Sequence, residues 1–138
     1  ELRVSFGHKK SDADKERAKQ LLEQLGLSEK KERHPLSLSG GEKQRLSVAA
    51  ALMQAAHIFF LDEPTSGLDL ENMNRVSALL SDLRSEGKTV FVITHDYEFL
   101  LNTCDRVLWL DHGTIRKDVR LTVGILPALQ EFFKINQK

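Results

Sequence analysis

Residues 57–64 read His57-Ile58-Phe59-Phe60-Leu61-Asp62-Glu63-Pro64. Four consecutive apolar side chains stop at two carboxylates and a proline. A short continuous apolar run closed by a breaker is the pattern of a strand buried on both faces of a parallel sheet. A second run, Val90-Phe91-Val92-Ile93, ends in Thr94-His95-Asp96. Between the two runs, residues 70–85 carry apolar side chains at helical spacing, with Asp69 placed to cap the helix and Gly87 to stop it.

The pattern continues in both directions. Downstream, residues 97–103 suit a short helix, 106–110 a third strand, and Asp111-His112-Gly113 a turn into a fourth strand at 114–116. A terminal helix is expected from about Pro127 to Phe133. Upstream, a helix is expected from Ser11 or Asp12, with Asp12 as the cap, to Leu25, where Gly26 stops it. Residues 28–37 are charged, contain Pro35 and read as a loop. A second, strongly apolar helix follows Gly41, and Ser39 and Glu42 have capping-box spacing before it. Two helices followed by strand–helix–strand–helix–strand predict an α/β fold, a mostly parallel sheet flanked by helices.

Composition narrows the classes of function. The 138 residues are 41% hydrophobic and 29% charged, and 20 basic side chains balance 20 acidic ones. That length supports one core-forming domain, and the mixture excludes disordered and collagen-like chains. Zero net charge disfavours a nucleic-acid binder or a polybasic membrane protein, and no nucleic-acid partner is expected. The single cysteine, Cys104, forms no internal disulfide and suits a reducing compartment. The longest apolar run considered, residues 48–53, is too short to span a bilayer.

In open α/β sheets, ligands bind beyond the carboxyl ends of the strands. Asp62 and Glu63 end one run here and His95 follows another. A pair of carboxylates after a hydrophobic strand suits a Mg²⁺–phosphate site, one holding the hydrated cation and the other orienting a water. On its own the pair is also an ordinary loop start, and a lone histidine is more often structural. Leu38-Ser39-Gly40-Gly41-Glu42 opens a helix, and glycines at a helix N-terminus let backbone N–H groups approach an anion. Read alone, that pentapeptide is an ordinary capped helix start.

The conjunction decides the reading. LSGGEKQR (38–45) precedes a strand ending LDEP (61–64), SGLD (66–69) follows at once, and a later strand ends ITHD (93–96). This order resembles the nucleotide-binding cassette of ABC ATPases: signature sequence, Walker B strand, D-loop and switch histidine. The resemblance implies roles residue by residue. Asp62 would hold Mg²⁺ through water, Glu63 would activate the attacking water, and His95 would meet the γ-phosphate. Asp69 would communicate across a dimer. Ser39, Gly40, Gly41 and Glu42 would contact ATP held by the opposite subunit. It further implies a helical-subdomain part over residues 1–54, a RecA-like core over 55–117 and a C-terminal helix in 118–138. The implied partners are a second cassette and transmembrane transporter subunits. The implied place is the cytoplasmic, inner face of a membrane. Residues 93–115 are most similar to importer ATPases, among them the energy-coupling-factor type.

One departure is large. G-x-x-x-x-G-K-[ST] is absent from the 138 residues, and the chain starts at Glu1 rather than Met. The chain is therefore expected to be the C-terminal part of a cassette and inactive alone. The resemblance implies a P-loop strand between the Walker B and switch-histidine strands. In its absence the chain is expected to be poorly stable, to close the gap by direct pairing or to associate. A soluble ABC ATPase of the chromosome or ribosome-associated kind is an alternative, although no heptad repeats precede the signature. A non-catalytic half-cassette is another. A serine hydrolase lacks its G-x-S-x-G elbow, and pairing Cys104 with His95 as a thiol protease has no support beyond the two residue types. A transition-metal site at His95, Asp62 and Glu63 is disfavoured by the phosphate context.

Overall fold

A computed structural model of the protein describes residues 11–122. The elements run α1 (Asp12–Gln24), two 3₁₀ turns (Ser28–Lys30 and Pro35–Ser37), α2 (Gly40–Leu52), β1 (Ile58–Asp62), α3 (Leu70–Ser85), β2 (Thr89–Ile93), α4 (Tyr97–Thr103), β3 (Arg106–Asp111) and β4 (Thr114–Arg120). The expected order is observed. The segment read as a loop over 28–37 contains the two 3₁₀ turns, and β4 runs four residues further than expected. The expected helix at Pro127–Phe133 lies outside the described residues. The chain forms two compact units, Glu1–Thr94 and His95–Lys138. The sequence-based boundary at 54–55 falls inside the first.

Three helices begin with the chemistry their sequences offer. Ser11, not Asp12, caps α1, and Asp14 completes a reciprocal capping box. The extended backbone at Ser11 places its hydroxyl over the third helical N–H, and Asp12 is already helical. Ser39 and Glu42 make the same box on α2. Asp69 caps α3 by accepting from the Asn72 N–H.

In the first unit, α3 packs on β2, and α2 packs on α1 and β1. Its core is Leu21, Leu25 and Leu27 with Val48 and Leu52, together with Phe59 and Leu61 against Val76, Leu79, Leu80 and Leu83. The four α3 residues recur at three- and four-residue intervals, so one helical stripe meets one sheet face.

Direct closure, one of the outcomes expected in the absence of a P-loop strand, is observed, and the expectation of strands buried on both faces is corrected. β1 and β2 are paired directly and in parallel, from Ile58↔Thr89 to Asp62↔Ile93. Their facing N–H and C=O groups are used on each other, so no strand fits between them. A further strand can join this sheet only at an outer edge. Nor is either strand buried on both faces. Phe59 and Leu61 are buried, whereas Phe60 is 74% exposed and Ile93 63% exposed. Strand side chains alternate between faces, and among the described residues helices cover only one of them. On the open face the Phe60 and Phe91 rings stack with centroids 4.9 Å apart.

In the second unit, β3 and β4 form an antiparallel hairpin through the turn at His112 and Gly113, with a register shift at Trp109/Leu110. Arg106 and Asp118 hold each other across it through two hydrogen bonds. Phe99 and Leu100 of α4 are buried. Among the described residues no helix is long and apolar enough to cross a membrane.

Candidate functional site

The signature-like segment and the carboxylate pair belong to the first unit and are physically joined. At the start of α2, the Ser39 Oγ accepts from the Glu42 N–H at 3.2 Å, and the Ser39 N–H donates to the Glu42 carboxylate at 2.8 Å. Lys30 Nζ lies 3.3 Å from the same carboxylate. The Ser39 amide, with Lys30 adding, holds the Glu42 carboxyl below its ordinary value. As an acceptor in the cap, the Ser39 hydroxyl keeps its own proton available to donate outward. Gly40 is exposed, with open space where a Cβ would stand. The N–H groups of this helix start form the positive end of the helix dipole, which favours an anion.

Gly41 is a close approach. A Cβ there would lie 3.3 Å from Leu68 Cδ2 and 3.7 Å from the Gly67 carbonyl oxygen. The signature-like turn therefore rests on the SGLD loop of the same chain. Arg45, 8% exposed, lies under the turn, with Nη1 3.8 Å from the position of that Cβ. Among the described residues its Nε finds no hydrogen-bond partner.

Asp62 is the last residue of β1 and its side chain is exposed at the carboxyl end of the strand. Glu63 follows with φ 46°, in the left-handed region that non-glycine residues rarely occupy. Its backbone is held at both ends. The Glu63 N–H donates to the Ile93 carbonyl at 2.8 Å, which extends the sheet by one residue. The Glu63 carbonyl accepts from the Ser66 N–H at 3.1 Å and from the Gln44 Nε2 at 2.8 Å. Pro64 and Thr65 are buried beneath the turn.

Asp69 is occupied structurally. Beyond its cap, its carboxylate accepts from Asn72 Nδ2 at 2.9 and 3.0 Å. His95 is exposed and opens the second unit. Its neighbour Asp96 caps α4 by accepting from the Phe99 N–H at 3.0 Å. The first unit thus brings together Ser39, Gly40, Gly41, Glu42, Asp62, Glu63 and Asp69, and His95 belongs to the other. Gln44, Gly67 and Leu68 join the first group although sequence reasoning gave them no role. The sequence signal for Gln44 is its place inside the LSGGEKQR stretch, one helical turn after Gly40 and Gly41.

Among the described residues, no three His, Cys, Asp or Glu side chains gather into a metal cage. Mg²⁺ does not need one. It keeps several waters and is bound through one or two carboxylates together with substrate phosphates. A single exposed carboxylate at Asp62, beside Glu63, fits that donor set.

Comparison with known proteins points to one family. Residues 2–66 match the family model described as ABC transporter. A protein of Treponema denticola named as an ABC transporter ATP-binding protein is 48% identical over 122 residues, 88% of this chain and 24% of that protein. The glutamate transport ATP-binding protein GluA of Corynebacterium efficiens is 42% identical over 110 residues, 80% of this chain and 45% of its own length. A crystal structure of the ADP conformation of an ATP-binding cassette of an ABC transporter superposes with a TM-score of 0.72 at 27% identity, covering 89% of this chain and 48% of that one. The chain therefore spans less than half the length of these relatives. By family match, relatives and fold alike, the chain is similar to the ATP-binding cassettes of the ABC transporter family.

Proposed function

We propose that this chain is part of an ATP-binding subunit that energises transport across a membrane by hydrolysing ATP to ADP and phosphate. The observation that carries the reading is the pinned Glu63. Its carboxylate follows an exposed Asp62 at a strand end, and its backbone is tied to the helix that starts at the signature turn. In the proposed reaction Glu63 orients and deprotonates the attacking water. Asp62 holds Mg²⁺ through water, and the cation neutralises charge on the phosphates. His95 hydrogen-bonds the γ-phosphate. Ser39, Gly40, Gly41 and Glu42 meet ATP bound by a second cassette, and Asp69 contacts that partner. The remaining partners are transmembrane transporter subunits, which places the protein at the cytoplasmic face of the membrane. The domain division inferred from the sequence, a helical part over 1–54 and a core part over 55–117, belongs to the same proposal.

The 138 residues contain no P-loop sequence, so the chain by itself is expected to show no significant hydrolysis. The test is Glu63→Gln in a complete cassette that carries this chain. The substitution keeps size and removes the base, so steady-state phosphate release should be abolished while ATP-bound dimers accumulate. Retained turnover in this variant would remove Glu63 from the reaction.

A further inference from the structure

Gln44 sits on α2, 19 residues before Glu63, and its Nε2 donates to the Glu63 carbonyl oxygen at 2.8 Å in a partly buried setting. Glu63 occupies the left-handed region at φ 46°. A non-glycine residue there is disfavoured and persists only where its surroundings over-determine it. Three hydrogen bonds do so: the Glu63 N–H to Ile93, and the Ser66 N–H and the Gln44 side chain to the Glu63 carbonyl. The Ser66 bond is local to the turn and the Ile93 bond comes from the neighbouring strand β2. The Gln44 bond comes from a helix, and that helix begins just after Ser39, at Gly40 and Gly41.

We infer that Gln44 is a positioning residue: its side-chain amide fixes the left-handed peptide of Glu63 and thereby the aim of the Glu63 carboxylate, linking the start of α2 to the water-activating residue within one chain. The inference rests on the proposed role of Glu63. α2 is a rigid rod between its capping box and Gln44, so a ligand that reorients its N-terminus moves the Glu63 carbonyl with it. The Gly41 contact with Leu68 gives the same turn a second hold on the loop that follows Glu63.

The experiment compares Gln44→Met, Gln44→Glu and Gln44→Lys in a complete cassette that carries this chain, with Glu63→Gln in parallel. Methionine keeps the length and removes the donor. Glutamate places an acceptor against the carbonyl. Lysine restores an N–H donor of similar reach. Gln44→Met should lower kcat about five- to tenfold, the worth of one neutral hydrogen bond, with KM for ATP and the melting temperature unchanged. Gln44→Glu should lose more, and Gln44→Lys should recover most of the activity. Where Gln44→Met unfolds, the Lys and Glu variants decide the matter between them, because they differ in donor capacity at similar length. The Glu63 carbonyl ¹³C shift in this chain reports the bond directly and should move upfield in the Met variant. Wild-type kcat in both Met and Glu variants, or a rise in KM matched by the Lys variant, overturns the inference. If Glu63→Gln is inactive in that case, the reading of Glu63 stands and only Gln44 is lost. If Glu63→Gln turns over normally, both fall.

Discussion

Glu63 and Gly67 bracket a five-residue turn, and both have positive φ, 46° and 72°. They solve the same steric problem differently. Gly67 has no Cβ to clash, whereas Glu63 is held by partners on three sides. Open space surrounds the position of a Gly67 Cβ, so Gly67→Ala introduces backbone strain without a collision. It should cost about 1–2 kcal/mol, read by denaturant unfolding. At this scale the sequence was legible wherever partners lie within one helical turn. Ser39 with Glu42 and the Asp69 cap were both found from spacing alone. Gln44 with Glu63 was not, because no local pattern signals a bond across 19 residues. The cap of α1 was misplaced by one residue because Ser11 and Asp12 are both good capping side chains. Backbone conformation, which the sequence does not display, chose between them.

The elements share an electrostatic device. Asp14 and Glu42 each accept from the N–H of the serine that they help to cap, and that contact holds both carboxyls below their ordinary values. On the hairpin, the Arg106 guanidinium does the same to Asp118. A carboxylate whose value is lowered by folding stabilises the fold when ionised. That stabilisation is present above the ordinary value, 4.5 for Glu42 and 3.8 for the two aspartates, and is lost as the pH falls through the lowered ones. Unfolding followed from neutral pH downward should therefore show stability falling as the acid range below about pH 4.5 is entered. Ser39→Ala with Glu42→Gln should flatten part of that slope. Element type and order were readable from period and breakers. Strand faces were not, since a continuous apolar run says that both faces are able to be buried and not that both are.

Across the first unit, one face of the β1–β2 pair is covered and the other is open. Leu61, 7% exposed, and Phe60, 74% exposed, are adjacent in sequence and opposite in environment. Leu61→Ala should cost about 2–5 kcal/mol of stability in this chain. Phe60→Ala should cost about 1 kcal/mol or less, because it removes mainly an exposed stack with Phe91. Equal losses in chemical denaturation would mean that the open face is covered in solution. The expectation of a strand between β1 and β2 came from the family resemblance and not from any residue of this chain, and the direct ladder is the closure expected in its absence.

That ladder also governs how the gene can change in length. Every residue from Ile58 to Asp62 has a fixed partner from Thr89 to Ile93, and alternate side chains face opposite ways. Losing one codon within β1 would turn Phe59 and Leu61 outward and draw Asp62 toward the core, whereas most single substitutions there disturb one site. Insertions and deletions in descendants of this sequence should therefore collect between α1 and α2 and at the His112–Gly113 turn, and spare residues 58–63.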